Sequence, residues 1–212
     1  MKIAPLGIFC LIAKTFSSQG IDSILELLKY FIGVVIVLFI HLFVVYLPLV
    51  KLIAKVNIIN FFSGLKQALL FAFSTSSSSA TIPITLNNLE KSFNVKKKVS
   101  SFTVPLGATI NMDGTAIMQG MATIFIANFY GIELIFTDFL TIILTAALAS
   151  IGTAGVPGVG MIMLGMVLNQ VGLPLEGIAI VMGVDRLLDM LRTSLNVAGD
   201  ATVTLLINKL EK

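Results

Sequence analysis

Five polar residues recur along one apolar segment near the end of the chain, spaced four, three, four and four residues apart. They are Asp185, Asp189, Arg192, Asn196 and Asp200. Residues three or four apart share a face of an α-helix, so one stripe carries all five. An unpaired charge at the centre of a membrane helix costs roughly 2.5–3.5 kcal/mol on insertion scales. If the stripe served only to form ion pairs within its own helix, Asn196 and Asp200 would have no role. The pattern therefore favours a binding site.

The chemistry of this stripe points to a zwitterion that carries an additional carboxylate. The planar guanidinium of Arg192 can bind a carboxylate through two parallel hydrogen bonds, and Asp189, one turn earlier, suits an ammonium group. A C4-dicarboxylate is the nearest rival substrate, although it would meet only repulsion at Asp189. A neutral amino acid would not need Arg192. We therefore predict an acidic amino acid.

A second polar interruption, Asn111-Met-Asp-Gly-Thr115, lies in the middle of another apolar run. Gly114 favours local unwinding of a helix, and the side chains of Asn111, Asp113 and Thr115 all carry oxygen. Together with Asn196 and Asp200 they form a set of hard oxygen donors, which suits Na⁺ better than soft ligands would.

Composition places these residues in a membrane. The 212-residue chain is 57% hydrophobic and 12% charged, whereas a soluble domain carries about 25% charged residues. It cannot cover a water-facing surface, so we predict an integral membrane protein embedded in a lipid bilayer. A net charge of only +3 argues against a nucleic-acid partner. One cysteine and one histidine exclude a disulfide framework and argue against zinc or haem, and no resident cofactor is predicted.

Two further apolar stretches are interrupted at their centres, where a spanning helix would be most apolar. The first contains a run of hydroxyl residues at 74–79 before Pro83, and the second has four glycines and a proline at 152–160. A flexible linker would not lie between two apolar arms, and so many glycines argue against a continuous helix. We predict a re-entrant helical hairpin at each.

Charges at the ends of these hairpins predict opposite orientations. Lysines flank the first hairpin and acidic residues flank the second, and Lys-rich loops stay in the cytoplasm. The hairpins therefore enter from opposite faces, each followed by a crossing helix. Such an inverted repeat of interrupted segments is typical of a secondary transporter with a midplane site.

At these motifs the sequence resembles the dicarboxylate/amino acid:cation symporter family, the sodium-coupled glutamate and aspartate transporters. The resemblance rests on residues 4–9, 76–83, 105–116, 149–157 and 185–200. It implies an all-α integral membrane fold with an elevator-type transport core, assembled as a homotrimer in a bacterial inner membrane or a plasma membrane. It also implies symport of L-glutamate or L-aspartate with Na⁺, or with H⁺ in its place.

With the runs above, the resemblance predicts a partial scaffold-side transmembrane helix at residues 1–20 and a transport domain at 21–212. The expected elements of this domain are a helix at 22–50, a re-entrant hairpin at 58–92, a broken helix at 99–130, a re-entrant hairpin at 137–172 and a helix at 176–210.

The resemblance also implies site residues. The substrate pocket would comprise Ser78, Thr115, Val156, Gly160, Asp189, Arg192, Thr193 and Asn196. One sodium site would use backbone of Gly107, Asn111 and Asn196 with the Asp200 side chain. A second would use backbone of Thr109, Ser150, Ile151 and Thr153. A third would use Asn111 and Asp113 with groups from an earlier helix.

Three departures from the family pattern stand out. The chain matches only the C-terminal half of family members, so a separate N-terminal half or a non-transporting fragment is the alternative expectation. Gln119 stands where animal transporters carry a glutamate, so their proton-carrying route is not expected. Ser76 stands where some archaeal members place an arginine, and Arg186 is hypothesised to supply that charge.

Rival classes fit the residues less well. An intramembrane protease would use paired membrane aspartates, but Asp113 and Asp189 lie beside hairpins and an arginine. A membrane subunit of an ATP-driven importer would need a nucleotide-binding partner. We therefore predict no enzyme activity.

Overall fold

A computed structural model of the chain describes residues 22–211. The predicted helix at 1–20 and the motif at 4–9 lie outside this range. Within it the protein is helical throughout, with eight α-helices. They are Asp22–His41 (α1), Ile58–Thr75 (α2), Ser78–Phe93 (α3), Lys97–Ile110 (α4), Asp113–Phe129 (α5), Phe136–Ser150 (α6), Val159–Gln170 (α7) and Ile178–Leu210 (α8), with a 3₁₀ turn at Leu175–Gly177. Helix α1 ends at His41, short of the predicted bound at 50, and the other bounds lie within about two residues of those predicted.

Helix α1 does not stop at its α-helical end. It continues as π-helix over Leu42–Tyr46 and again over Leu49–Ile53. Short π-helical stretches are rare and occur frequently at functional sites. Among the described residues, two helical stretches are long and apolar enough to cross a membrane, Ile24–Ile53 and Ile58–Thr75.

The serine-rich tract forms a tight helical hairpin between α2 and α3. Ser76 ends α2 in the left-handed region with φ of 52°. The hydroxyl of Ser77 then accepts a 3.1 Å hydrogen bond from the Ala80 amide and caps the start of α3. Serine is a preferred residue at this position, so the tract ends one helix and starts the next.

The glycine-rich tract forms a looser connection between α6 and α7. Gly152 and Gly158 have φ of 85° and 82°, a region that glycine enters without steric cost. The amide of Gly152 donates to the Thr109 carbonyl at the end of α4, at 2.8 Å. The second hairpin is thereby fastened to the broken helix.

Helix α8 forms the centre of the protein. Its 33 residues span about 50 Å at 1.5 Å per residue, and it packs against α1, both hairpins, α4 and α5. The break between α4 and α5 falls at Asn111 and Met112, beside the middle of α8. The polar stripe of α8 therefore faces both the break and the hairpin tips.

Candidate functional site

The tips of the two hairpins meet beside α8. The amide of Ser79 donates to the Gly155 carbonyl at 3.1 Å, and the Ser77 hydroxyl donates to the same oxygen at 2.8 Å. A Cβ atom at Gly155 would lie 2.8 Å from the Ser79 hydroxyl and 2.9 Å from the Ala108 carbonyl. Only glycine permits this approach.

A small polar cavity lies under the joined tips. Its volume of about 20 Å³ is close to the space that one water needs. It is lined by Ser76, Ser78, Met112, Thr115, Thr153, Ala154, Gly155, Val156, Gly160, Asp189, Arg192, Thr193 and Asn196. All eight residues of the predicted substrate pocket are in this set.

Arg192 is the central charge of the cavity and is only 2% exposed. Its Nη1 donates to Asp185 at 2.8 Å and its Nε donates to Asp189 at 3.0 Å. A Cβ at Gly160 would lie 3.2 Å from Nη2, so this glycine keeps the third nitrogen accessible. Among the described residues Nη2 donates no hydrogen bond, and it faces the cavity as a free donor.

Asp189 links α8 to the second hairpin. One carboxylate oxygen accepts from Arg192, and the other accepts from the Gly158 amide at 3.1 Å. The tip of the α6–α7 hairpin is therefore held by the side chain that was predicted to bind an ammonium group.

Asn196 holds the start of α5. Its side-chain oxygen accepts from the Gly114 amide at 2.8 Å, and its nitrogen donates to the Met112 sulfur at 3.2 Å. A Cβ at Gly114 would lie 2.9 Å from the Arg192 carbonyl. Met112 could not be assigned to the site from the sequence, because a thioether between polar residues resembles ordinary core packing.

The residues of the first predicted sodium site lie together at the break. Asn111 donates from its side chain to the Asp200 carboxylate at 3.0 Å and to the Asn196 carbonyl at 3.2 Å. A Cβ at Gly107 would lie 2.5 Å from the same carboxylate oxygen. Asp200 is 3% exposed, and no cationic side chain pairs with it between residues 22 and 211. A buried carboxylate of this kind is costly without a cation.

The residues of the second predicted sodium site also converge. The Thr109 carbonyl lies at the end of α4 and accepts a hydrogen bond from the Gly152 amide at 2.8 Å. Ser150, Ile151 and Thr153 flank Gly152 where α6 ends. The ends of α4 and α6 are thus brought together, with the Thr109 and Ser150 carbonyls accepting from the Gly152 and Thr153 amides.

Asp113, predicted for the third sodium site, contacts two side chains from the first helical segment, which is α1 with its π-helical continuation to Ile53. The Tyr46 hydroxyl donates to its carboxylate at 2.7 Å, and His41 Nε2 lies 3.0 Å from the same oxygen. The two rings pack edge-on at 4.8 Å. Neither His41 nor Tyr46 could be assigned to this site from the sequence, since they precede Asp113 by 72 and 67 residues.

The hypothesis that Arg186 supplies a charge to the pocket is wrong. Arg186 is exposed and does not line the cavity, because one residue beyond Asp185 is about 100° around the helix. Ser76, which stands where some family members place the arginine that Arg186 was hypothesised to replace, has its hydroxyl buried at the cavity. Between residues 22 and 211 neither that hydroxyl nor the Gln119 carbonyl oxygen has a hydrogen-bond partner.

The sequence is similar to that of known proteins over nearly all of its length. The sequence profile of the sodium:dicarboxylate symporter family matches residues 1–210. The chain belongs to this family. It is 46% identical over 204 residues to an excitatory amino acid transporter of Caenorhabditis elegans, covering 95% of the chain and 40% of that relative.

Bacterial and human relatives give the same result. Identity is 38% over 211 residues with the proton/sodium-glutamate symport protein of Bacillus caldotenax, which covers all of the chain and 50% of the relative. It is 44% over 203 residues with human excitatory amino acid transporter 1, with coverages of 95% and 38%. The chain thus spans half or less of the length of these relatives. The resemblance noted from the motifs is confirmed, and so is membership of a family of membrane transporters.

Proposed function

We propose that the chain carries the substrate and ion sites of a symporter that moves an acidic amino acid with Na⁺. The observation that carries this proposal is Arg192, a buried guanidinium whose Nη2 faces a polar cavity between two hairpin tips. The names of the relatives support glutamate as a substrate. The alternative within the family is a C4-dicarboxylate carrier.

Substrate recognition would use the two ends of the Asp189–Arg192 pair. The side-chain carboxylate of the substrate would bind Nη2 of Arg192, in the space that Gly160 leaves open. The ammonium group would bind Asp189. The hydroxyl of Ser78 and the amides of the hairpin tips would donate to the second carboxylate.

Binding would require the hairpin tips to separate. A cavity of about 20 Å³ cannot hold an amino acid, and the tips are joined through Gly155. The substrate ammonium would compete with the Gly158 amide for Asp189. Arrival of substrate and release of the α6–α7 tip would therefore be coupled at one carboxylate.

Sodium would neutralise the buried Asp200. The Asp200 side chain and the backbone of Gly107, Asn111 and Asn196 would hold one ion, and the oxygens around Gly152 would hold a second. A third ion would lie near Asp113 with groups of the first helical segment. H⁺ in place of Na⁺ is the alternative coupling ion.

The membrane arrangement is part of the proposal. The α2–α3 hairpin would enter from the cytoplasm and the α6–α7 hairpin from the opposite face, forming an inverted repeat of re-entrant hairpin plus crossing helix. The domain would move as an elevator against a scaffold, as a homotrimer in a bacterial inner membrane or a plasma membrane. A separate N-terminal half would supply the scaffold, and without it the chain would be a non-transporting fragment.

Calorimetry on the purified chain in detergent tests the site. We expect L-aspartate and L-glutamate to bind only in the presence of Na⁺, and succinate to bind much more weakly. Arg192→Lys keeps the charge but removes the planar fork, so affinity should fall at least about tenfold, or 1.4 kcal/mol. Arg186→Lys is the matched control and should bind as the parent does.

Two results would overturn parts of the proposal. Equal affinity for succinate would favour the dicarboxylate carrier. Absence of binding by a folded chain would mean that its own residues do not complete the site.

A further inference from the structure

A second polar cleft lies between the arms of the α2–α3 hairpin, away from the substrate cavity. Its volume is about 450 Å³. It is lined by Ser63, Gly64, Lys66, Gln67, Leu70, Asn87, Asn88, Lys91 and Ser92. None of these residues lines the cavity under the hairpin tips, and the transport function does not use them.

The charge of the cleft is positive. Lys66 and Lys91 are both exposed, neither forms an ion pair with any residue from 22 to 211, and no carboxylate lines the cleft. The Asn88 side chain donates to the Gly64 carbonyl at 2.7 Å and closes the space between the arms. Two ammonium groups with nearby amide and hydroxyl donors match a phosphate group.

The position of the cleft along the hairpin agrees with the edge of a bilayer. Lys66 precedes the tip residue Ser76 by ten residues, about 15 Å along α2. Lys91 follows Ser78 by thirteen residues, about 20 Å along α3. Half the thickness of a hydrocarbon core is about 15 Å. A tip at the midplane therefore puts both lysines at the level of the headgroups.

On α2 the lining of the cleft ends at an apolar side chain. Leu70 lies six residues from Ser76, about 9 Å, and is 58% exposed. Along α2 the lining thus changes from a charged to an apolar side chain over roughly one helical turn, in the direction from headgroup to hydrocarbon. A free phosphate ion would use only the charged end.

We propose that this cleft binds an anionic glycerophospholipid, with the phosphate between Lys66 and Lys91 and an acyl chain along Leu70. The inference rests on the proposed membrane orientation but not on transport. The ligand joins the two arms of the hairpin whose tip closes the substrate cavity, so lipid composition would act on that hairpin directly.

A single tryptophan can report on this cleft, because the chain contains none. The full chain carrying Leu70→Trp is reconstituted in phosphatidylcholine vesicles, and its fluorescence is quenched by brominated phosphatidylglycerol or brominated phosphatidylcholine. We expect phosphatidylglycerol to be preferred by at least about fivefold, the factor expected for one lysine near a membrane surface. Ile143→Trp is the matched reporter on α6, where the side chain is 67% exposed and no lysine is near in sequence. It should show no preference.

Charge variants and a soluble anion complete the test. In the Leu70→Trp background, Lys66→Gln with Lys91→Gln should abolish the preference, whereas Lys97→Gln with Lys98→Gln should retain it. Unchanged quenching by brominated phosphatidylcholine shows that the variants are folded. Equal quenching by both lipids at Leu70→Trp would overturn the proposal. Relief of the preference by excess inorganic phosphate, at constant ionic strength, would also overturn it by identifying a free-anion site.

Discussion

Replacing Gly107 by alanine tests the proposed link between Asp200 and sodium. The glycine lies in the last turn of α4, and a Cβ there would lie 2.5 Å from a carboxylate oxygen of Asp200. Ordinary contact begins near 3.4 Å, so the carboxylate must retreat by about 0.9 Å. The hydrogen bond from Asn111, now 3.0 Å, would stretch beyond hydrogen-bonding distance.

The expected magnitude follows from the displaced carboxylate. A hydrogen bond to a charged group contributes about 1.5–3 kcal/mol, and we expect a sodium contact with the same oxygen to weaken by a comparable amount. This loss raises the half-saturating sodium concentration at least about tenfold. The gain of about 0.5–1 kcal/mol from alanine in a helix stabilises the fold with and without sodium and does not enter this difference.

Thermal unfolding at increasing sodium concentration measures this shift, with choline chloride to hold the ionic strength constant. A ligand that binds only the folded state raises the midpoint as its concentration passes the dissociation constant. Gly120→Ala is the matched control, since a Cβ there meets nothing within 4 Å. If Gly107→Ala and Gly120→Ala respond to the same sodium concentration, the assignment of Asp200 as a sodium ligand is refuted.

Two further substitutions examine the buried charges. Asp185→Ala removes one of the two carboxylates on Arg192, which keeps its ion pair with Asp189. The free energy of unfolding, measured by denaturation in mixed micelles, should fall by about 1.5–3 kcal/mol. Tyr46→Phe removes the hydroxyl that donates to Asp113, which should cost about 1.5–3 kcal/mol and weaken the thermal response to sodium.

Exposed residues of the same types provide the controls. Glu133→Ala removes an exposed carboxylate, and Tyr130→Phe removes the hydroxyl of a side chain that is 40% exposed. Both should change stability by less than about 0.5 kcal/mol. An Asp185→Ala variant as stable as Glu133→Ala would show that the ion pair contributes nothing. An unchanged sodium response in Tyr46→Phe would remove that hydroxyl from the ion site.

Features that depend on local periodicity could be predicted from the sequence. Asp185 and Arg192 are seven residues apart, two turns of one helix, and they pair as their shared face indicates. The glycines at 152 and 158 lie where α6 ends and α7 begins, because glycine adopts a positive φ without steric cost. The same periodicity contradicts the hypothesis for Arg186, which is one residue off the stripe.

Features that depend on distant contacts could not be predicted. The hydroxyl of Ser77 and the carbonyl of Gly155 are 78 residues apart, and nothing in either motif specifies that one tip touches the other. The pairing of His41 and Tyr46 with Asp113 has a further obstacle. His41 and Tyr46 are five residues apart, and residues at that spacing do not share a face of an α-helix. A regular helix would therefore point the two side chains in different directions.

The π-helical winding after His41 brings His41 and Tyr46 onto the same face. It also affects the surface of the first helical segment. Its buried positions include Val34, Leu38, Tyr46, Val50 and Ala54, which are separated by four or eight residues. In a uniform α-helix each interval of four residues advances about 40° past a full turn, so this stripe would spiral away from its neighbours. Wider turns absorb the excess rotation. One side of the segment therefore stays against the protein. The exposed side chains from Ile32 to Val45 are all apolar, and in the proposed membrane arrangement they would face lipid tails.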